Sequence, residues 1–329
     1  MSKEEYMPEL TYREALNQAL REEMERDPTV FLLGEDVGLY GGSFKVTEGL
    51  LAEFGRQRVL DTPIAEGGIV GLGIGAAMAG LRPVVELMTV NFALLAMDQI
   101  VNHAAKIRYM FGGAVKVPIV IRAPEGGGQQ LGSQHSQSLD AYFLHCPGLK
   151  VVCPGSPADA KGLLKEAIRD DDPVMFLEHE ALYGRKGDVP EGPYTVPLGK
   201  AKVLKEGKDV VIISSSRMAQ LSLAAAQQLD KDGISVEVVD LRCLNPMDVA
   251  TMIASVKKTG RAVVVEEGWK TGGVGGELAS IIMERCFDCL DAPVKRVAGA
   301  DVPTPYSKNL EKLALPQVEN IIASVRELG

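Results

Sequence analysis

Apolar residues fall along this chain in two rhythms. Short runs rich in Val, Ile and Leu alternate with longer segments whose apolar positions recur every three or four residues. The short runs predict strands at Val30–Leu33, Arg58–Leu60, Val84–Leu87, Pro118–Arg122, Lys150–Cys153 and Val174–Glu178. A second series falls at Asp209–Ser214, Ser235–Leu241, Arg261–Glu266 and Val294–Val297. Several runs are apolar at nearly every position, as in strands covered by helices on both faces. Between them lie helix signals. Thr11 with Glu14 makes a capping box, after which Leu16, Ala19, Leu20 and Met24 share a face. Ser156-Pro157 supplies a cap and a first-turn proline before Ala158–Arg169. Pro246 is expected to open a helix bearing Val249, Met252, Ile253 and Val256, and Phe92–Arg108 to form one helix with His103 packed in it. Such alternation predicts an α/β fold with two parallel-sheet domains.

A break separates the two series. Residues 184–199, GRKGDVPEGPYTVPLG, hold four Gly and three Pro and little periodicity. The expected organisation is a domain over 1–185, a linker over 186–205 and a second domain over 206–329.

Composition narrows the function classes. The chain of 329 residues is long enough for two cores, and 46% hydrophobic with 24% charged residues is ordinary for a globular protein. The net charge is −9 with no basic block, a poor match for nucleic acid or an anionic membrane but compatible with a basic partner. Five scattered Cys, an odd number, point to reduced thiols and a cytoplasmic setting. MSKEEYMPEL has no apolar run and does not read as a signal peptide. The longest uncharged apolar stretch, Gly67 to Leu81, is shorter than the ~20 residues that span a bilayer.

The densest feature runs from Asp61 to Glu86, DTPIAEGGIVGLGIGAAMAGLRPVVE. One carboxylate, Glu66, precedes a helix of small and apolar residues. Each interior glycine costs roughly 1 kcal/mol relative to Ala, so several together imply close approach of another backbone or a flat ligand. Three readings are open: a packed core helix with Glu66 as a solvated first-turn carboxylate, a dinucleotide fingerprint, or a buried carboxylate aimed at a ring nitrogen. Gly71, Gly73 and Ala76 match G-x-G-x-x-A, but inside the helix rather than at the strand–helix turn.

A glycine-rich loop, EGGGQQLGSQHSQ from Glu125 to Gln137, follows the strand Pro118–Arg122. It lies where α/β proteins place ligands. His135 sits in it and suits acid–base work, or is simply bonded within its loop. Ser133 and Ser136 lack the nucleophile-elbow pattern of acyl hydrolases. His145 and the strand-end His179 read as structural. Cys286-x-x-Cys289 is a lone pair of thiols with no second pair for zinc. Gly272–Gly276 resembles an anion-binding helix start, and a tight turn explains it equally well.

DTPIAEGG, AAMAGLRPVVELMTVNF, Gln134-His135-Ser136-Gln137, HCPGLKVVCP, GLLKEAIRDDDPV and ADVPTPY together resemble a known family. It is the β subunit of the thiamine-diphosphate-dependent E1 component of 2-oxo acid dehydrogenase complexes. The pyruvate branch is the nearest, with the acetoin and branched-chain branches as alternatives. The resemblance runs from about Leu10 to the C-terminus and implies a pyrimidine-binding α/β domain followed by a transketolase C-terminal-like domain.

Residue by residue, it implies that Glu66 bonds the pyrimidine N1′ of thiamine diphosphate and that Phe92 lies near that ring. His135 would face the substrate and the incoming lipoyl group. Ile119, Ala167, Ile168, Asp170 and Asp172 would hold a structural potassium ion, chiefly through carbonyls, although Asp stands at 171 and 172 where the family pattern has Asn. Asp291 and the end of the chain near Leu328 would dock the E2 lipoyl acyltransferase. The diphosphate and Mg2+ pattern of the family, G-D-G…N, is missing from this chain and belongs to an α subunit, which implies an α2β2 heterotetramer. A non-catalytic scaffold that only docks E2 is the rival from another class.

Overall fold

The computed structural model describes residues 7–328. The chain divides into two compact units. The first takes residues 7–124, 146–178 and 182–198; the second takes 125–145, 179–181 and 199–328.

The first unit contains the strands β1 (Glu9–Thr11), β2 (Val30–Gly34), β3 (Val59–Asp61), β4 (Arg82–Glu86), β5 (Val120–Glu125), β6 (Lys150–Val152), β7 (Val174–His179) and β8 (Lys186–Asp188), with β5 and β7 ending where the chain passes to the second unit. Six of them form a sheet in the order β6-β7-β5-β4-β2-β3. The β2/β3, β2/β4, β4/β5 and β6/β7 pairings are parallel. All residues of β2 and β7 are buried, as the apolar runs Val30–Leu33 and Val174–Leu177 require. The helix Tyr12–Arg26 buries Ala15, Leu16, Ala19, Leu20 and Met24. Its start is the expected box: Glu14 N donates to Thr11 Oγ1 at 3.2 Å and Thr11 N to the Glu14 carboxylate at 2.8 Å. It packs on the helix Pro157–Arg169, capped by Ser156.

A charged row crosses this sheet near the carboxyl ends of its strands. Arg122 is 1% exposed and donates through Nε and Nη2 to Glu178, at 2.6 and 2.8 Å, and through Nη1 to Glu86. Tyr183 Oη also donates to Glu178, at 2.7 Å. Buried charges persist only when paired and hydrogen-bonded in this way.

The second unit holds β9 (Lys202–Lys205), β10 (Val210–Ser214), β11 (Val236–Asp240), the short β12 (Cys243–Asn245), β13 (Ala262–Trp269) and β14 (Lys295–Gly299). Five form a sheet in the order β14-β13-β10-β11-β9. Its interior pairings are parallel, but β9 lies antiparallel to β11, so the sheet is mixed rather than purely parallel. Val210, Ile212, Val238, Val263 and Val265 meet Met218, Leu229, Ile321, Val325 and Leu328 in the core.

Within the stretch 186–205, Lys186–Asp188 pairs with Glu9–Thr11, and Lys202–Lys205 belongs to the second sheet. Residues 125–145 and 179–181 pack with the second unit. Two expectations are corrected. The helix Phe92–Arg108 is broken into Val90–Ala93, a 3₁₀ turn Leu94–Ala96, a π turn Gln99–Ala104 and Ala105–Met110, and His103 is exposed. The helix after Pro246 begins at Val249 because Asp248 caps it, accepting from Thr251 N at 3.1 Å.

Candidate active site

Ligands of parallel sheets bind beyond the carboxyl ends of the strands. In the first unit those ends carry Glu35 after β2, Asp61 and Thr62 at the end of β3, and Thr89–Phe92 beyond β4. Glu66 is the first residue of the helix Glu66–Met78, where the helix dipole favours an anion, and it is 5% exposed. A solvated first-turn carboxylate is thereby excluded. The fingerprint reading also fails, since Gly71, Gly73 and Ala76 are interior to the helix.

The helix glycines divide into two kinds. A Cβ at Gly73 would lie 2.7 Å from Val85 Cγ2 and 2.9 Å from Ile119 Cδ1, so the chain's own sheet demands that glycine. At Gly67 and Gly68 a Cβ would meet nothing nearer than 3.4 and 3.7 Å, and at Gly75 nothing within 4 Å. No neighbour within this chain requires those three.

Beside Glu66 stands Glu35, which the sequence reading missed. It is 7% exposed, and its Oε1 has no hydrogen-bond partner. Burial, followed by the charges of Glu66 and Asp36, raises its carboxyl above the ordinary value. Thr62 Oγ1 is likewise unpartnered. Asp61 seats the turn after Glu35, accepting from Gly38 N at 2.6 Å and Leu39 N at 3.2 Å. Phe92 is half-buried in the short helix capped by Thr89. Two carboxylates and a hydroxyl with unused capacity, next to glycines that leave open room, suit a flat polar heterocycle. The position of Glu35 directly after an apolar strand was the signal that could have revealed it.

His135 belongs to the second unit, half-buried in its loop, where its N donates to Gly132 O at 3.2 Å. Ser133 Oγ is committed to Thr304 O at 3.0 Å. A cavity of about 530 Å³ opens beside the loop, lined by Ser133, Gln137, Trp269, Thr271, Asp301, Val302 and Pro303. Beneath the loop lies Glu267. Its Oε1 accepts from Gly127 N at 2.7 Å, and its Oε2 from His179 Nε2 at 2.9 Å and Arg217 Nη1 at 3.1 Å. His179 Nδ1 accepts from Ala181 N, which leaves the proton on Nε2. Burial works against the Glu267 charge, but His179, Arg217 and the Gly127 amide outweigh it and hold the carboxyl at about 2. Burial, with Glu267 and Glu311 nearby, pushes Glu180 up to about 8; burial and Glu266 push Asp140 to about 7. The helix start at Gly272–Gly276 already holds an anion, for Glu266 accepts from Gly275 N at 2.8 Å.

Ala167, Ile168, Asp170 and Asp172 lie at the end of the helix Pro157–Arg169. Arg82 Nη1 donates to the carbonyls of Ile168 and Asp170 at 3.0 and 2.9 Å. Lys150 pairs with Asp170, Lys116 with Asp171 and Arg108 with Asp172. The Ile119 and Ala167 carbonyls accept backbone amides. Each carbonyl keeps a second lone pair, so hard oxygen donors remain for a weakly hydrated cation. Among the described residues no His, Cys, Asp and Glu cluster is arranged to hold a metal ion. The five cysteines are free. Asp291 is exposed, and its N donates to Gly260 O at 2.8 Å. Leu328 is packed in the core, 7% exposed, so it supports the surface from beneath and does not present its own side chain. No helix of the described residues is long and apolar enough to cross a membrane.

Residues 8–186 match the transketolase pyrimidine binding domain, and residues 199–321 match the transketolase C-terminal domain. The pyruvate dehydrogenase E1 component subunit beta of Rickettsia bellii is 55% identical over 97% of this chain and 98% of its own length. The mitochondrial subunit beta-1 of Oryza sativa is 54% identical over 97% of this chain and 86% of its own. A solved structure described as a split gene transketolase, inactive beta4 tetramer, superposes with a TM-score of 0.80 at 26% identity, covering 97% of this chain and 98% of that one. The chain therefore belongs to the pyruvate dehydrogenase E1 β-subunit family, built from transketolase-type pyrimidine-binding and C-terminal domains.

Proposed function

We propose that this chain, with a separate α subunit, carries out the oxidative decarboxylation of pyruvate and passes the acetyl group to the lipoyl group of an E2 acyltransferase. The observation that carries the reading is Glu66, a buried carboxylate opening a helix whose outward glycines no neighbour in the chain requires. The names of its relatives favour pyruvate over acetoin or branched-chain substrates.

Thiamine diphosphate, when bound, supplies the nucleophilic thiazolium carbon and the electron sink for loss of CO2. The chain's own residues do the rest. Glu66 would accept a hydrogen bond from the protonated pyrimidine N1′, strengthened by the low dielectric around a buried group. The unpartnered Glu35 oxygen and Thr62 hydroxyl are available to polar edges of the same heterocycle. Phe92 would cover the ring. His135 would orient or protonate the acyl acceptor.

The diphosphate and Mg2+ fall to the α subunit, in an α2β2 assembly. The split gene transketolase, inactive as a beta4 tetramer, supports a β chain that does not turn over alone. A monovalent cation such as potassium on the carbonyls of Ile119, Ala167, Ile168, Asp170 and Asp172 would be structural. Asp291 and the C-terminal residues near Leu328 are the proposed E2 docking surface, and reduced cysteines fit a cytoplasmic setting.

Co-purified α and β chains are expected to reduce a dye with pyruvate only when thiamine diphosphate and Mg2+ are present. Glu66→Gln should lower kcat by roughly 30- to 150-fold, a loss of about 2–3 kcal/mol of transition-state stabilisation, with the assembly intact. Full rate in that variant, or turnover by this chain alone, overturns the reading.

A further inference from the structure

We infer that Glu311 and Glu267 are positioning residues for His135: two carboxylates that grip its glycine-rich loop by main-chain N–H groups and so fix where the imidazole stands. The inference rests on the reading of His135 as the group that serves acyl transfer. Glu311 Oε1 accepts from Gly128 N at 2.9 Å and Gln130 N at 3.1 Å, and its Oε2 from Gln130 N at 3.3 Å. Glu267 Oε1 accepts from Gly127 N at 2.7 Å and from Ser138 Oγ at 3.3 Å. The anchors bracket His135, on residues 127–130 before it and on 138 after it.

The loop is shaped to be held. Gln130 has φ +59°, a left-handed conformation that a non-glycine residue keeps only when its surroundings impose it, and its N–H is the one both Glu311 oxygens receive. A Cβ at Gly126 would strike the His179 ring at 2.2 Å, one at Gly127 Leu315 at 2.8 Å, and one at Gly132 the Tyr306 ring at 2.3 Å. The loop backbone is thus pressed against the residues that carry its anchors.

The anchors differ in kind. Glu267 is tied back to His179 and Arg217, and Arg217 also donates to Gly127 O at 3.2 Å. Glu311 comes from the short helix Lys308–Ala314, is 3% exposed, and receives the loop amides directly. Bonds from N–H groups to an ionised carboxylate are short, directional and stronger than neutral ones. A displacement of about 1 Å in a reacting group can cost on the order of 100-fold in rate, so such a grip acts on the chemistry and not only on the fold.

Amide hydrogen exchange and two rate assays on the assembled enzyme test this. Glu311→Ala should speed exchange across 125–137 at least tenfold. It should also lower the ratio of lipoyl-domain acetylation to dye reduction at least tenfold. Glu311→Gln, which keeps a carbonyl acceptor, should restore both to within threefold of wild type, and Glu267→Ala replaces Glu311→Ala if that variant does not assemble. Unchanged exchange, or faster exchange with an unchanged ratio, overturns the inference. A wild-type enzyme inert towards pyruvate would refute the functional reading alone, since the exchange measurement still decides whether these carboxylates hold the loop.

Discussion

Glu180 and Glu267 lie in one core and titrate in opposite directions. Glu267 is held at about 2, below its unfolded value, so its contribution to stability is complete above about pH 4.3 and disappears as pH falls through 2. Glu180 is 5% exposed, has an unpartnered Oε2 and is pushed up to about 8. Its folded form keeps a proton that the unfolded chain releases near 4.3, so stability falls as pH rises through the window from 4.3 to 8. Glu180→Gln should therefore stabilise the protein at pH 8, on the order of 2–4 kcal/mol, and have little effect at pH 4. Urea unfolding at the two pH values reads the difference. None of this was legible in the sequence. Glu125, Asp140, Glu180, Glu267 and Glu311 are far apart along the chain, and only tertiary folding assembles them. Glu66 was legible because its signal is local: a lone carboxylate at the head of a glycine-rich apolar run.

At the scale of elements, the helix Glu66–Met78 offers a paired test. Gly73→Ala drives a methyl into Val85 and Ile119. Overpacking of about 1–3 kcal/mol should outweigh the roughly 1 kcal/mol that alanine contributes to a helix, leaving a net loss. Gly75→Ala meets nothing and should stabilise the isolated chain by roughly 0.5–1 kcal/mol. Denaturant midpoints compare the two. Capping chemistry explains which elements could be read in advance. Thr11 with Glu14 and Ser156 with Pro157 form caps from residues adjacent in sequence, and both helices begin where expected. The segment Phe92–Arg108 misled because its apolar spacing is helical throughout. The winding changes from 3₁₀ to π within it, and composition does not reveal that change.

Over the whole molecule, two parallel-sheet domains followed from apolar runs alternating with helices, while the antiparallel edge strand β9 did not, because its four residues, Lys202–Lys205, offer only two apolar positions between lysines. The first unit also leaves apolar side chains in the open: Leu72 is 54%, Ile64 81% and Leu95 71% exposed. Leu72 projects from the helix Glu66–Met78, and Leu95 from the 3₁₀ turn packed on it. Exposed apolar surface of this kind marks an interaction site, and we propose the α subunit as its occupant. Leu72→Lys should leave the chain's own stability within about 0.5 kcal/mol while abolishing co-purification with α. Size-exclusion chromatography of the co-expressed pair reports the outcome.

The second unit is stitched from three pieces of sequence, and two of them, 125–145 and 179–181, interrupt the first. No single crossover point can therefore exchange one unit for that of a relative. A chimera joined at Gly199 would inherit the histidine loop and His179 from one parent, and Arg217, Glu267 and Glu311 from the other. A graft that is to keep these contacts must transplant all three segments together.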